Sequence, residues 1–375
     1  MDAAASAATT SEGGAAATVT VTTTTGGAQL TFGAGPAAPP EARKLNVLCL
    51  HGTMGDGASM RSSCRWLEIA CEDCADFYYP SGPCEVSAGH PIWAMTGGMG
   101  GPPGPTKRHW FTMHDEWDFS EAAFADAKIS LNEFIDAEIG GPVDVVLGFS
   151  QGVAAATELV NSVFAKTFEN AHVCDSPIAA MILFGSPEHP LPSSEAAAAV
   201  KSLHINGDSD PLTPLAGARM HASSFHADTF VEFQGGHTTH AGLNEARQFL
   251  LSLRYSDDPE QLRSRSVDTA EEVLRKRRPA VLAGASAEVK AAVAGITATM
   301  ATARFWPAPL QRWVKGCLRR GRPLGAMEMI KGMVGSDKTP QTAGKSAEFK
   351  QQAADVLEAS DEFWAAVEGN FPASA

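Results

Sequence analysis

Val143-Asp-Val-Val-Leu147 runs directly into Gly148-Phe149-Ser150-Gln151-Gly152, and a helix-compatible stretch from Val153 to Phe168 follows. The first five residues are mostly β-branched or apolar, the pattern of a short buried parallel strand. Two glycines then flank a serine in the spacing G-x-S-x-G, between strand and helix. Small neighbours let the chain turn sharply there, which lifts the Ser150 hydroxyl above the sheet. The helix N-terminus beyond it offers backbone N–H groups and a positive dipole end to a developing anion. Such a serine points to nucleophilic chemistry, and it needs a base to take its proton.

The flanking chain supplies a sheet for this turn. Leu45–Leu50, Asp76–Tyr79, Ile178–Phe184, Ser202–Ile205 and Thr229–Phe233 read as further strands. Ser59–Cys74, Phe119–Glu138, Leu215–Ser224 and Leu243–Leu253 read as helices. The alternation predicts an α/β domain over residues 44–255, with a mostly parallel sheet and helices on both faces.

Partners for the serine follow in the order Ser, Asp, His. Asn206-Gly-Asp-Ser-Asp210-Pro leaves one strand in a polar turn, and Gln234-Gly-Gly-His237 leaves the next. Both turns lie at the C-terminal sheet edge, on the side of Ser150. The expected set is Ser150 as nucleophile, His237 as general base and acid, and Asp210 as the group that holds the imidazole tautomer. Asp208 is an alternative acid, better suited to an Asx turn, and His240 is an alternative base. His204 lies within a strand and reads as a core histidine. His51-Gly52 ends the first strand, so the oxyanion donors are expected to be the amides of Gln151 and of Thr53 or Met54.

Together, Leu48-Cys-Leu-His-Gly52, Gly148-Phe-Ser-Gln-Gly152, Asn206-Gly-x-x-Asp210-x-x-x-Pro214 and Gly235-Gly-His237 resemble the FSH-type serine hydrolases, small α/β-hydrolases related to carboxylesterases and acyl-thioesterases. The resemblance covers roughly residues 44–255. It implies nucleophile Ser150, acid Asp210 and base His237, esterase or thioesterase activity on small-molecule acyl substrates, and no metal or organic cofactor. The sequence His237-Thr-Thr-His240 departs from the family, where a proline often follows the histidine shortly. The alternative reading is a non-catalytic module on the same fold that binds an acyl ligand, with the C-terminal helices as its interaction region.

Between the second strand and the next helix, Val86–Trp117 is irregular, with a Gly/Pro cluster at Gly97–Pro105. Its aromatic and methionine side chains predict either packing on the body or a lid. As a lid, Trp93, Trp110, Phe111 and Met113 would line the acyl pocket. Cys64, Cys71, Cys74 and Cys84 invite a zinc reading, but Cys64, Leu67, Cys71 and Cys74 fall on one helical face, as buried core residues do.

Composition bounds the rest. The 375 residues are 44% hydrophobic, enough for a sizeable core, and carry a net charge of −14, which argues against nucleic acid as the main partner. No run of 18 apolar residues occurs, so no transmembrane segment is expected; Ala280–Ala303 comes nearest. Met1–Arg43 is Ala-, Thr- and Gly-rich and reads as a disordered tail, with strand propensity at Thr18–Thr22 but nothing adjacent to pair with. It has neither a basic n-region nor an apolar h-region, so a cytoplasmic location is expected. Charge divides unevenly: residues 1–255 hold 12 basic and 28 acidic side chains, and residues 256–375 hold 17 and 15. Ser256–Arg265 reads as a polar linker, and Asp268–Arg277, Ser286–Ala303 and Ser346–Val367 as helices of a C-terminal extension. Within it, the basic and aromatic stretch 304–322 suits contact with an anionic membrane surface or an acidic protein, or a solvated face with packed aromatics.

Overall fold

The computed structural model describes residues 19–24, 27–32, 43–86, 107–111, 119–174, 178–239, 241–300, 311, 347–360 and 363. The chain divides into two compact units, Met1–Arg43 and Lys44–Ala375. In the first, β1 (Val19–Thr24) pairs antiparallel with β2 (Gly27–Phe32), Val19 opposite Phe32 and Thr24 opposite Gly27. The strand propensity near Val19 therefore does find a partner, a few residues further on. The remainder of the segment read as a disordered tail lies outside the described residues.

The second unit is built on six parallel strands. They are β3 (Leu45–Leu50), β4 (Ala75–Tyr78), β7 (Val145–Phe149), β8 (Ala180–Phe184), β9 (Lys201–Gly207) and β10 (Ala227–Phe233), in the spatial order β10-β9-β8-β7-β3-β4. A two-residue ladder, β5 (Cys84–Glu85) with β6 (Arg108–His109), stands apart from the sheet. Side chains alternate between the two faces. Leu48, Leu50, Val146, Met181 and Leu183 meet α2 (Ala125–Phe134) and α3 (Gln151–Phe164) through Leu131, Val153 and Leu159. Val47, Cys49, Val145, Leu147 and Ile182 meet α1 (Gly57–Ala70) and, beyond the short helices α4 (Ala171–Cys174), α5 (Ser194–Ala199) and α6 (Leu215–Ser223), α7 (Leu243–Arg254). Helices thus cover both faces, which is why the central strands β3, β7 and β8 are apolar runs, while the edge strands β4 and β10 carry Asp76, Asp228 and Glu232.

The stretch read as a linker contains α8 (Pro259–Arg265). Asp258 caps it by accepting from the Gln261 N–H at 3.0 Å, and Pro259 sits in the first turn, where a missing N–H costs nothing. Beyond it, α9 (Ala270–Gly284) buries Ala270 and Leu274 in the same core as α1 and α7. Arg277 of α9 pairs with Glu72, and Arg65 of α1 pairs at 3.1 Å with Asp355 of α11 (Ala347–Ala359). The described helices after Tyr255 are therefore packed into the unit that holds the sheet. The apolar run Ala280–Ala303 is broken where α9 and α10 (Ala287–Met300) meet at 112°, and no single described helix is long and apolar enough to cross a membrane.

Candidate active site

After β3 the chain steps to β4 on one side, and later enters β7 on the other side of β3. A parallel sheet opens a crevice at such a reversal, outside the carboxyl ends of the two strands. Leu50-His51-Gly52 leaves one of these strands and Phe149-Ser150 the other. Ser150 itself has φ 55° and ψ −120°, a strained conformation between strand and helix. Its N–H is held by the Phe184 carbonyl at 2.9 Å, and its carbonyl accepts from Val153 at 2.8 Å. A Cβ at position 152 would overlap the Leu50 carbonyl, so only glycine lets α3 start against β3.

Strands β9 and β10 lie side by side with Gly207 opposite Phe233, and their outgoing turns are stitched together. The Asp208 N–H bonds the Phe233 carbonyl at 3.0 Å, and the Ser209 N–H bonds the Gly235 carbonyl at 3.0 Å. This brings Asp210 to His237: Nδ1–H donates to Oδ2 at 2.7 Å. Asp208 is used otherwise, accepting the Gly235 N–H at 3.0 Å. Burial by itself raises the Asp210 carboxyl. The hydrogen bond and charge of His237, with the Thr213 hydroxyl, outweigh burial and hold the carboxyl below its ordinary value. The His237 ring packs on Phe149, centroids 4.7 Å apart, and so lies beside the residue that precedes Ser150. It also lies over Gly185, whose φ is +62° and whose hypothetical Cβ would come within 2.8 Å of Cε1. With Nδ1 engaged, Nε2 is the ring nitrogen left for a proton exchange. Among the described residues no hydrogen bond joins it to Ser150.

The loop after β3 is fixed from several directions. His51 donates from Nδ1 to the Gly52 carbonyl at 2.8 Å, and its Nε2 accepts the Gly82 N–H at 2.8 Å. Burial pushes this imidazole down to about 4, against the smaller opposing effect of the Gly52 bond, so it is neutral near pH 7. Trp110 donates its indole N–H to the His51 carbonyl at 2.7 Å, and its backbone N–H to Gln151 Oε1 at 3.0 Å. The Met54 N–H is taken by the Arg108 carbonyl at 2.9 Å. Of the two amides expected as the second oxyanion donor, Thr53 or Met54, that of Met54 therefore already has an acceptor.

Of the two readings of the irregular segment, packing on the body or a lid over the pocket, two of its aromatics follow the first. Trp110 and Phe111 are fully buried, in the core beside Leu50 and Val153, and Phe111 packs edge-on to Phe119 with centroids 5.0 Å apart. They are struts beneath the crevice rather than its lining. Trp93, Met113, the Gly97–Pro105 cluster, His240 and nearly all of 304–322 lie outside the described residues. Cys64, Cys71 and Cys74 are buried core residues, and burial pushes the Cys64 thiol up to about 12. Among the described residues no group of three or more His, Cys, Asp or Glu side chains could hold a metal ion. His204 is buried, flanked by the Ser186 and Ser202 hydroxyls at 3.3 and 3.1 Å, as a core histidine should be. Sequence reasoning missed three contributors: His51, Thr213 and Gly185. Only the first had a visible signal, its place directly before Gly52 at a strand end.

A family model described as Serine hydrolase (FSH1) matches residues 41–243. Among curated proteins, the Uncharacterized hydrolase C22A12.06c of Schizosaccharomyces pombe is 27% identical over 181 residues, 46% of this chain and 42% of its own. Esterase CG5412 of Drosophila melanogaster is 24% identical over 55% of this chain and 72% of its own. The chain thus spans less than half the length of the fission-yeast protein and most of the fruit-fly one. Among solved structures, esterase PE8 shares 25% identity over 58% of this chain and 96% of that one, with a TM-score of 0.40.

Proposed function

The chain belongs to the FSH1 serine hydrolase family, and on that premise we propose that it cleaves carboxylic esters or thioesters of acyl chains with Ser150 as nucleophile, His237 as base and Asp210 as its orienting acid. Ser150 Oγ attacks the acyl carbonyl carbon as its proton passes to His237 Nε2. The carbonyl oxygen becomes an oxyanion, held by the amides of Gln151 and Thr53. Each such donor supplies about 2.7–4 kcal/mol of transition-state stabilisation. The imidazolium returns its proton to the leaving alcohol or thiol, and the acyl group stays on Ser150. Water, deprotonated by Nε2, attacks that acyl carbon, and the acid leaves as Ser150 regains its proton. Throughout, Asp210 holds Nδ1–H and so keeps Nε2 turned toward the reaction.

The observation that carries this reading is the 2.7 Å bond from His237 to Asp210, in a ring packed against the residue before a strained Ser150. A serine-directed fluorophosphonate tests it. Covalent labelling of the folded protein, lost in Ser150→Ala and sharply slowed in His237→Ala, is expected, together with turnover of p-nitrophenyl esters. Folded protein that neither labels nor turns over would instead favour a non-catalytic acyl-binding role.

A further inference from the structure

Asp210 carries four hydrogen bonds, and three of them come from the two residues Leu212 and Thr213. Oδ1 accepts the Leu212 N–H at 2.9 Å and the Thr213 N–H at 3.0 Å. Oδ2 accepts the Thr213 hydroxyl at 2.6 Å and the His237 Nδ1–H at 2.7 Å. A carboxylate offers about four lone-pair sites, so this one is saturated. We propose that Thr213 is a positioning residue of the acid–base pair, its hydroxyl taking one lone pair of Oδ2 so that the other points along the Nδ1–H of His237. The proposal rests on the Ser150–His237–Asp210 reading above.

The terminal torsion of an aspartate is broad, so backbone donors on Oδ1 alone leave Oδ2 free to swing. The Thr213 hydroxyl bonds the same oxygen that His237 bonds and fixes that swing. The hydroxyl also lies 3.4 Å from His237 Nδ1 and 3.3 Å from where a Cβ on Gly185 would stand, enclosed by acid, imidazole and backbone. Thr213 is buried, so water is poorly placed to substitute for it. Because Nδ1 carries the proton given to Asp210, the hydroxyl has one direction in which to donate. The β-branch of threonine restricts χ1 and keeps it aimed there. Thr213 acts through Asp210 and touches no reacting atom, so its loss is expected to slow the chemical step without weakening substrate binding.

Thr213→Val keeps the branched shape and removes the hydroxyl. With p-nitrophenyl butyrate, T213V is expected to lower kcat by about tenfold, the scale of one charge-assisted hydrogen bond, with KM within about twofold. T213S, which restores the hydroxyl, is expected to recover most of the loss. In an Asp210→Ala background T213V is expected to add nothing, because the group it positions is gone. Thermal melts confirm folding, and if T213V does not fold, T213A is read by the same criteria. Wild-type kcat in the folded variant overturns the proposal, as does a T213S no faster than T213V, or losses that multiply in the D210A background. D210A and S150A at wild-type turnover would instead overturn the triad reading, whereas D210A and S150A impaired with T213V unimpaired overturns this proposal alone.

Discussion

The indole nitrogen of Trp110 donates to the His51 carbonyl at 2.7 Å, and the same residue's backbone N–H reaches the Gln151 side chain at 3.0 Å. One buried residue thereby ties the loop after β3 to the helix that begins beside Ser150. Trp110→Phe keeps an aromatic ring and removes the indole donor, leaving a buried carbonyl unpaired. W110F is expected to lose about 2 kcal/mol of stability, the typical penalty for such an orphaned group. Ester turnover should fall as well, since both elements that flank the crevice are tethered there. Equilibrium urea unfolding measures the first effect, and a loss below about 0.5 kcal/mol would contradict the strut.

Gly185 lies under the His237 imidazole with a φ of +62°, and an added Cβ would stand 2.8 Å from His237 Cε1. Gly185→Ala therefore carries backbone strain of about 1–2 kcal/mol and a collision with a ring held at Nδ1 by Asp210. The ring is expected to shift, and kcat for p-nitrophenyl esters to drop at least about 100-fold, as a misplacement near 1 Å produces. Near-normal turnover in folded G185A would show that His237 does not need this seat.

Three buried histidines make the fold acid-sensitive. Burial lowers His51 and His221 to about 4, and His204 well below its ordinary value. Each is neutral in the native state, while in the unfolded chain each protonates near 6.5. The unfolded state thus binds more protons below 6.5, so stability is complete above that pH and is lost as pH falls toward 4. The loss approaches about 1.4 kcal/mol per pH unit for each group. Urea midpoints at pH 7.5, 6 and 5 report it. A flat profile across that range would mean that these rings are charged or solvated when folded.

At the other end of the chain the sign reverses. Burial, reinforced by the like charge of Asp355, pushes the Glu358 carboxyl from 4.5 up to about 8. Between those two values the native state holds a proton on Glu358 that the unfolded chain has released. Stability from this group is therefore complete below 4.5 and is lost as pH rises through 8. Glu358→Gln removes the titration, and E358Q is expected to exceed wild-type stability at pH 8.5 by roughly 2–4 kcal/mol, with the gap closing toward pH 5. Melting temperatures of both proteins across that range check it, and a gap that does not change with pH would refute it.

Much of the fold was legible because its signals are local. The strands are short runs closed by glycine or polar turns, and the sheet strands are centred close to those runs except β7. That strand lies two residues later, at Val145–Phe149, because it continues through Gly148-Phe149 to the turn. Helix α3 starts at Gln151, two residues before the apolar periodicity begins, because a turn this tight passes directly into helix. The stretch 256–265 looked like a linker because it is polar, yet α8 is a capped, half-exposed helix that needs no apolar stripe. The aromatics of the irregular segment suit either packing on the body or an acyl pocket. Composition cannot distinguish a wall from a core, and Trp110 is placed by its hydrogen-bond partners, which lie 41 and 59 residues away along the chain.

The sequence by itself determined the strand–serine–helix turn, the order of the acid and the histidine, and the parallel sheet beneath them, because backbone propensity and glycine spacing act over a few residues. The tertiary structure alone decided which aspartate meets His237, which amide beside Gly52 is already taken, and that a threonine hydroxyl completes the carboxylate. Two of those outcomes join groups far apart in the chain, Asp210 with His237 and Met54 with Arg108, while the Thr213 hydroxyl reaches an oxygen only three residues away that also serves His237. Register between β9 and β10 brings Asp210 to His237, and the loop folded against Arg108 takes the Met54 amide.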